Sequence, residues 1–378
     1  MKKKVLSVLL AASMISALLA GCGSTPAQTD APAAEEAAPA EEEAAPAEAD
    51  SAEEAPAAEG EAAAAGEGTF ALVTKSAGNP YNEREAAGFE EAMKAMGYSD
   101  SQIIIRHPEA ATADAQITTI NELISQNVSA IAIAANDMDA LQPVCEQAAS
   151  QGIKIISLDS AVNAASRMTH VNQAGTQIIG QTLMDAVKDL AGGEGQWAIL
   201  SATSQASNQN AWIAAMKEVM EGEDYAGLEL VEVAYGDDEY QKSVDQTQAL
   251  LTNYPDLKVI CAPTTVGIMA AAGVLQDKNS EVKLTGLGLP SEMADYIGTD
   301  NVCPYMYLWN PIDVGRLGAY TSVALVNGDI TGAAGETFTA GEMGGYEIVE
   351  ASDGGTEIIV GPPFAFTPEN IDEWKSVY

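Results

Sequence analysis

The chain has 378 residues, with 17 Lys and Arg against 55 Asp and Glu, and a formal net charge of −38. That surplus of carboxylates excludes nucleic acid as a partner, since affinity for a phosphate backbone comes largely from cationic neutralisation. It also disfavours an anionic ligand unless a local cation overrules it.

The first element is a leader. Lys2, Lys3 and Lys4 form a positive start, and Val5 to Ala20 is an apolar run too short to span comfortably as a transmembrane helix, so residues 1–21 read as a signal peptide. The run ends in Leu19-Ala20-Gly21-Cys22, which resembles the bacterial lipobox, and Cys22 is then expected to carry the lipid. Residues 22–67 are almost entirely Ala, Pro, Glu, Gly and Ser, with no aromatic residue. Such a segment cannot bury enough apolar surface to offset its ordering entropy, and it is expected to be a disordered linker. No later stretch approaches the roughly 18 uninterrupted apolar residues of a membrane span. The expectation is an extracytoplasmic domain, lipid-anchored to the cell membrane and touching it only through that anchor.

With the three leader lysines and the thirteen acidic residues of the linker set aside, residues 68–378 still carry −28. Their length suits two lobes better than one core. Strands are expected at 69–74, 102–106, 129–134 and 154–158. Helices between them start near Tyr81, near Ile117 and at Met138. After Asp159 the theme restarts: helices at 173–190, 207–220, 241–253 and 266–275 alternate with strands at 196–201, 228–235, 257–262 and 282–287. Continuous apolar strands separated by amphipathic helices predict an α/β fold of two doubly wound parallel-sheet lobes. Cys145, Cys261 and Cys303 are widely spaced and odd in number, so they are expected to be buried thiols rather than a disulfide framework.

Enzyme signatures are missing. There is no GxSxG elbow, phosphate loop or HExxH, and His107 and His170 stand without partners at ligand spacing, as ordinary strand-edge or surface residues. Asp237-Asp238-Glu239 reads as a solvated turn, and Gly192 to Gly195 as a helix stop. No metal, cofactor or catalytic residue is suggested.

In parallel sheets ligands sit beyond the carboxyl ends of the strands. Polar residues gather there: Lys75 and Asn79 after the first strand, Asn136 and Asp137 after the third, Asp159 after the fourth, Asn208 and Gln209 at a helix start, and Pro263 to Thr265 after a later strand. They are donors and acceptors suited to hydroxyl recognition, with no nucleophile and base among them. Asp159 is the strongest position, because a carboxylate after a buried strand needs donors; a structural ion pair with Lys75 is the alternative. Trp309, before Asn310, offers either a face for a ring to stack on or hinge packing.

Six segments carry a resemblance: Lys75 to Tyr81, Ala135 to Leu141, Ser207 to Trp212, Ala262 to Thr265, Gly286 to Ser291 and Leu308 to Pro311. Together they resemble the type I periplasmic sugar-binding proteins of ABC importers, in the rhamnose-binding and autoinducer-2-binding branch. The resemblance implies a three-strand hinge, with lobe I formed by residues 68–161 and 311–335 and lobe II by 162–310 and 336–378. It implies a pocket containing Lys75, Asn79, Tyr81, Asp137, Asp159, Asn208, Gln209, Pro263, Thr265, Trp309 and Asn310. It also implies a sugar ligand and ABC permease subunits as partners, whether for transport or for sensing. Ribose- and galactose-type members place Asn-Asp where Pro263-Thr264 stands and an aspartate where Gly288 stands. Autoinducer-2 receptors carry an aspartate at Asn208 and an alanine at Thr265. A rhamnose-like deoxy sugar is therefore the first expectation and autoinducer-2 the alternative.

Overall fold

The computed structural model describes residues 66–378; Cys22, the leader and the linker to residue 65 lie outside them. The first half of the described chain runs β1 (Phe70–Val73), α1 (Pro80–Ala95), β2 (Ile103–Arg106), α2 (Ala113–Ser125), β3 (Ala130–Ile133), α3 (Gln142–Ser150), β4 (Lys154–Leu158) and β5 (His170–Asn172). Next come α4 (Thr176–Ala191), β6 (Gly195–Ser201), α5 (Ser207–Met220), β7 (Leu228–Tyr235), α6 (Tyr240–Asn253), β8 (Leu257–Ala262), α7 (Thr265–Asp277), β9 (Lys283–Gly286) and the short α8 (Pro290–Met293). The last part holds β10 (Met306–Leu308), α9 (Pro311–Asn327), β11 (Thr337–Thr339), β12 (Gly345–Glu347), β13 (Val349–Glu350), β14 (Thr356–Ile359), β15 (Phe364–Phe366) and α10 (Ile371–Trp374).

Two sheets result. The lobe I sheet has the order β13-β14-β5-β4-β3-β1-β2, and the lobe II sheet β7-β6-β8-β9. Apart from the antiparallel β13–β14 edge, their pairings are parallel. β1 and β3 are buried throughout because helices cover both faces. Their side chains alternate accordingly. Phe70 and Leu72 pack with Phe89 of α1 and Leu317 of α9, while Ala71 and Val73 pack with Ile120 of α2 and Val144 of α3.

Local chemistry sets the helix ends. Asn79 caps α1 by accepting from the Tyr81 and Asn82 amides, with Pro80 at the first helical position. Asn310 and Pro311 repeat the device at α9, and Gly192 closes α4 in the left-handed conformation, as a helix stop should.

Three expectations need correction. The helix expected from Met138 begins at Gln142, because the Asp137 carboxylate accepts from the Asp139 and Ala140 amides and holds a turn first. The lobe boundaries also move. β5 adds parallel to β4 and β14 parallel to β5, so residues 170–172 and 349–359, expected in lobe II, extend the lobe I sheet. Finally, His170 is not a surface residue: it is buried in β5 with Nδ1 2.9 Å from the Ser157 hydroxyl, and burial beside Arg167 pushes its pKa down to about 3. Cys145, Cys261 and Cys303 are free and buried.

Candidate functional site

The chain passes between the two sheets after β5, between β10 and α9, and between β14 and β15. Beside these passages the carboxyl ends of both parallel sheets face one cavity. Its wall is built from strand ends and the first turns of the helices that follow them.

Lobe I contributes Lys75 after β1, Asn79, Tyr81 and Asn82 at the start of α1, and Asp159 after β4. Lobe II contributes Asn208, Gln209 and Trp212 from α5, Asp238 from the β7–α6 turn, and Pro263, Thr264 and Thr265 at the β8–α7 junction. Leu287, Leu308 and Trp309 complete the wall. Nine of the eleven residues expected in the pocket are thus brought together.

The other two do different work. Asp137 holds the turn before α3 and lines the outer mouth of the cleft. Asn310 caps α9, accepting from the Ile312 amide and donating to Asp313 Oδ2 at 2.9 Å. Missed in the sequence were Asn82, Trp212, Asp238, Leu287 and Leu308, while Thr264 belongs to the strand-end group Pro263 to Thr265. Trp212 sits at helical spacing and reads as core, and it does pack its ring 5.6 Å from that of Trp309.

Asp159 organises the polar end. It is buried, with φ of +57°, a left-handed conformation that Asp tolerates better than most residues and that turns its carboxylate into the cavity. Gln173 Nε2 donates to Oδ1 at 3.2 Å, and Asn208 Nδ2 reaches both oxygens at 3.3 and 3.4 Å. The Lys75 ammonium lies 3.6 Å from Oδ2 and donates to Asn208 Oδ1 at 3.1 Å. The Tyr81 hydroxyl lies near the same carboxylate and accepts from the Trp309 indole at 2.8 Å. The ion pair and the pocket position, alternatives in the sequence, coexist. Burial pushes the Asp159 carboxyl up, and the Lys75 charge opposes the rise. Gln209 is a brace: it accepts from Ser201 at 3.1 Å and donates to the Pro263 carbonyl at 2.5 Å, tying the ends of β6 and β8 together.

Below this network lies Glu85, one turn beyond Tyr81 on α1, fully buried and with neither carboxylate oxygen hydrogen-bonded. Burial first, and the charge of Asp159 second, raise its pKa well above the usual carboxylate range. Asp159 pairs with the Lys75 ammonium and accepts from two amides, whereas Glu85 has no partner, so the proton rests on Glu85. The folded state then binds a proton that the unfolded chain releases above about pH 4.3. Stability therefore falls as pH rises from there toward the folded pKa. Glu85→Gln should flatten the decline of Tm between pH 5 and pH 9 and match or exceed wild type at the alkaline end. A thermal melt series at fixed ionic strength checks this; parallel curves for the two proteins contradict it.

No nucleophile and base pair stands in the cavity, and the chemistry offered is recognition of hydroxyl groups. At Gly288, where ribose-type proteins were expected to carry an aspartate, an added Cβ would collide with Met306 Sδ and come within 3.0 Å of Met293 Cγ. An aspartate there would have to displace both methionine side chains. Among the described residues no helix is long and apolar enough to cross a membrane.

The comparisons agree with this geometry. The periplasmic binding protein domain family matches residues 70–330. An ABC transporter solute-binding protein from Clostridium phytofermentas, solved with bound L-rhamnose, is 58% identical, with 83% of this chain and 100% of that one covered and a TM-score of 0.81. LsrB from Clostridium saccharobutylicum, solved with AI-2, shares the fold at 19% identity and a TM-score of 0.75, over 81% of this chain and 99% of that one. The D-ribose/D-allose-binding protein of Pseudomonas aeruginosa is 24% identical over 57% of this chain and 66% of its own length. The chain belongs to the periplasmic binding protein domain family, among the type I sugar-binding proteins of ABC transporters, which bind rather than convert their ligands.

Proposed function

We propose that this chain is the substrate-binding lipoprotein of an ABC importer and captures a rhamnose-like deoxy sugar between its lobes. One observation carries the reading: 58% identity, over 83% of this chain and 100% of the other, to a solute-binding protein solved with L-rhamnose. The pocket supports it, with the Lys75–Asp159–Asn208 network at its polar end and Trp212, Leu287, Leu308 and Trp309 providing apolar wall for a ring and a methyl group.

The second reading is autoinducer-2, for uptake or for sensing. Asn208 speaks for the sugar. Its amide donates to both oxygens of Asp159, whereas the aspartate that autoinducer-2 receptors are expected to carry would set a second carboxylate beside the same single ammonium. A thermal-shift panel of L-rhamnose, D-ribose, D-galactose and autoinducer-2 tests the order. A ligand that binds the folded state raises its stability by RT ln(1 + [L]/Kd), about 2.7 kcal/mol at a hundredfold excess over Kd. L-rhamnose should give the largest rise. A rise with autoinducer-2 alone overturns the ordering.

The anchor has its own test. Cys22 is taken as the lipid-bearing residue, and two or more acyl chains are needed for stable attachment. Cys22→Ser should move the protein from the membrane fraction to the soluble fraction after detergent-free separation. Retention in the membrane contradicts the lipid assignment.

A further inference from the structure

Asp159 and Asp238 face the same cavity from opposite lobes, but their carboxylates are differently engaged. Asp159 is held by Lys75, Gln173 and Asn208. Asp238 accepts one hydrogen bond among the described residues, from the Thr264 hydroxyl to Oδ1 at 2.6 Å, and no cation pairs with it. It is the pocket's one charged acceptor with most of its lone-pair capacity still open.

Asp237 and Asp238 are consecutive left-handed residues, with φ of +55° and +54°, and the Glu239 amide donates to the Gly236 carbonyl at 2.9 Å, so they form the centre of a type I′ turn, where Asp is among the common residues. One feature goes beyond that turn. Thr264 stands at the N-cap of α7, where a threonine hydroxyl ordinarily accepts from the helix amides, yet it makes no capping bond. Its hydroxyl donates to Asp238 instead.

We propose that Asp238 is a specificity-determining residue of the sugar site, accepting hydrogen bonds from ring hydroxyls on the side opposite Asp159. The assignment rests on the sugar reading above and deepens it. A carboxylate aimed into the cavity selects hydroxyl donors, which are shorter and stronger partners for an ionised acceptor than for a neutral one. It also selects against anionic sugars, because Lys75 is already committed to Asp159 and leaves the charge of Asp238 unbalanced. Glu109, Asp137, Asp237 and Glu239 around the outer mouth have the same sign. The favoured ligand is an uncharged sugar with free hydroxyls at the end facing lobe II.

The test is a cycle between protein and ligand changes. Calorimetry would compare wild type, Asp238→Asn and Thr264→Val, each titrated with L-rhamnose and its 2-, 3- and 4-deoxy analogues. The amide of Asp238→Asn still accepts from Thr264, so folding is preserved while the charge is removed. This variant should bind L-rhamnose at least tenfold more weakly. The deoxy analogue that lacks the Asp238 partner should lose tenfold or more against wild type and less than threefold against Asp238→Asn. Thr264→Val should show a smaller loss coupled to the same analogue. Equal factors for every analogue in wild type and Asp238→Asn overturn the assignment while leaving the sugar reading intact. A wild type that binds no sugar of the thermal-shift panel overturns the sugar reading, and this assignment with it.

Discussion

Asp159→Ala should weaken L-rhamnose binding by about 2 to 4 kcal/mol, the range for losing charge-assisted bonds and stranding their donors, or roughly 30- to 700-fold in Kd. The effect is large because one carboxylate holds Lys75 and Gln173 of lobe I and Asn208 of lobe II in a single arrangement. Without it the Lys75 ammonium is buried with no counter-charge, so its side chain should swing away and take Asn208 with it. Asp159→Asn separates the two contributions, since it keeps the shape and loses the charge. It should fall between wild type and Asp159→Ala. Calorimetry on variants with unchanged far-UV circular dichroism measures this, and wild-type affinity in Asp159→Ala removes the residue from the site.

Gly315→Val should destabilise the fold by about 3 kcal/mol, the upper part of the usual range for overpacking. Helices α1 and α9 approach backbone to backbone at Gly88 and Gly315. A Cβ on Gly315 would strike the Glu85 carbonyl oxygen and lie 2.8 Å from the Phe89 amide nitrogen, and one on Gly88 would strike the Ile312 carbonyl. These are backbone atoms, which cannot rotate aside, so the helices must separate. Binding should suffer as well, because α1 begins with Asn79, Tyr81 and Asn82 of the cavity and α9 follows directly on Trp309. Gly345→Ala is the control: nothing lies near its Cβ, and its change should stay within about 0.5 kcal/mol. Urea midpoints at unchanged slope give both values. Equal stability of Gly315→Val and wild type contradicts the close approach.

The alternation of strand and helix was legible from the residues because parallel strands covered on both faces are continuous apolar runs, as in Phe70–Val73 and Ala130–Ile133. The six strands from β10 to β15 were not. They have two to four residues, too few for a period to show, and β10, β14 and β15 also pair with partners far along the chain. For the same reason the three-residue β5 went unseen and the lobe boundary was set too early. Most of the cavity could be anticipated, since strand order forces ligands to the carboxyl ends and the polar residues there are few. What escaped is what sequence neighbours disguise: Trp212 as helix core, Leu287 as strand interior and Asp238 as a turn. Asp137 and Asn310 failed in the opposite direction, because a residue that caps a turn or helix has the same type and place as one that meets a ligand.

The most direct measurement is a crystal structure of the protein grown with L-rhamnose. The sugar should lie in the cavity between the lobes, with hydroxyls within hydrogen-bond distance of Asp159 on the lobe I side and Asp238 on the lobe II side, and with its ring against Trp309 or Trp212. A sugar held by one lobe alone, or a cavity without L-rhamnose at saturating concentration, would contradict it.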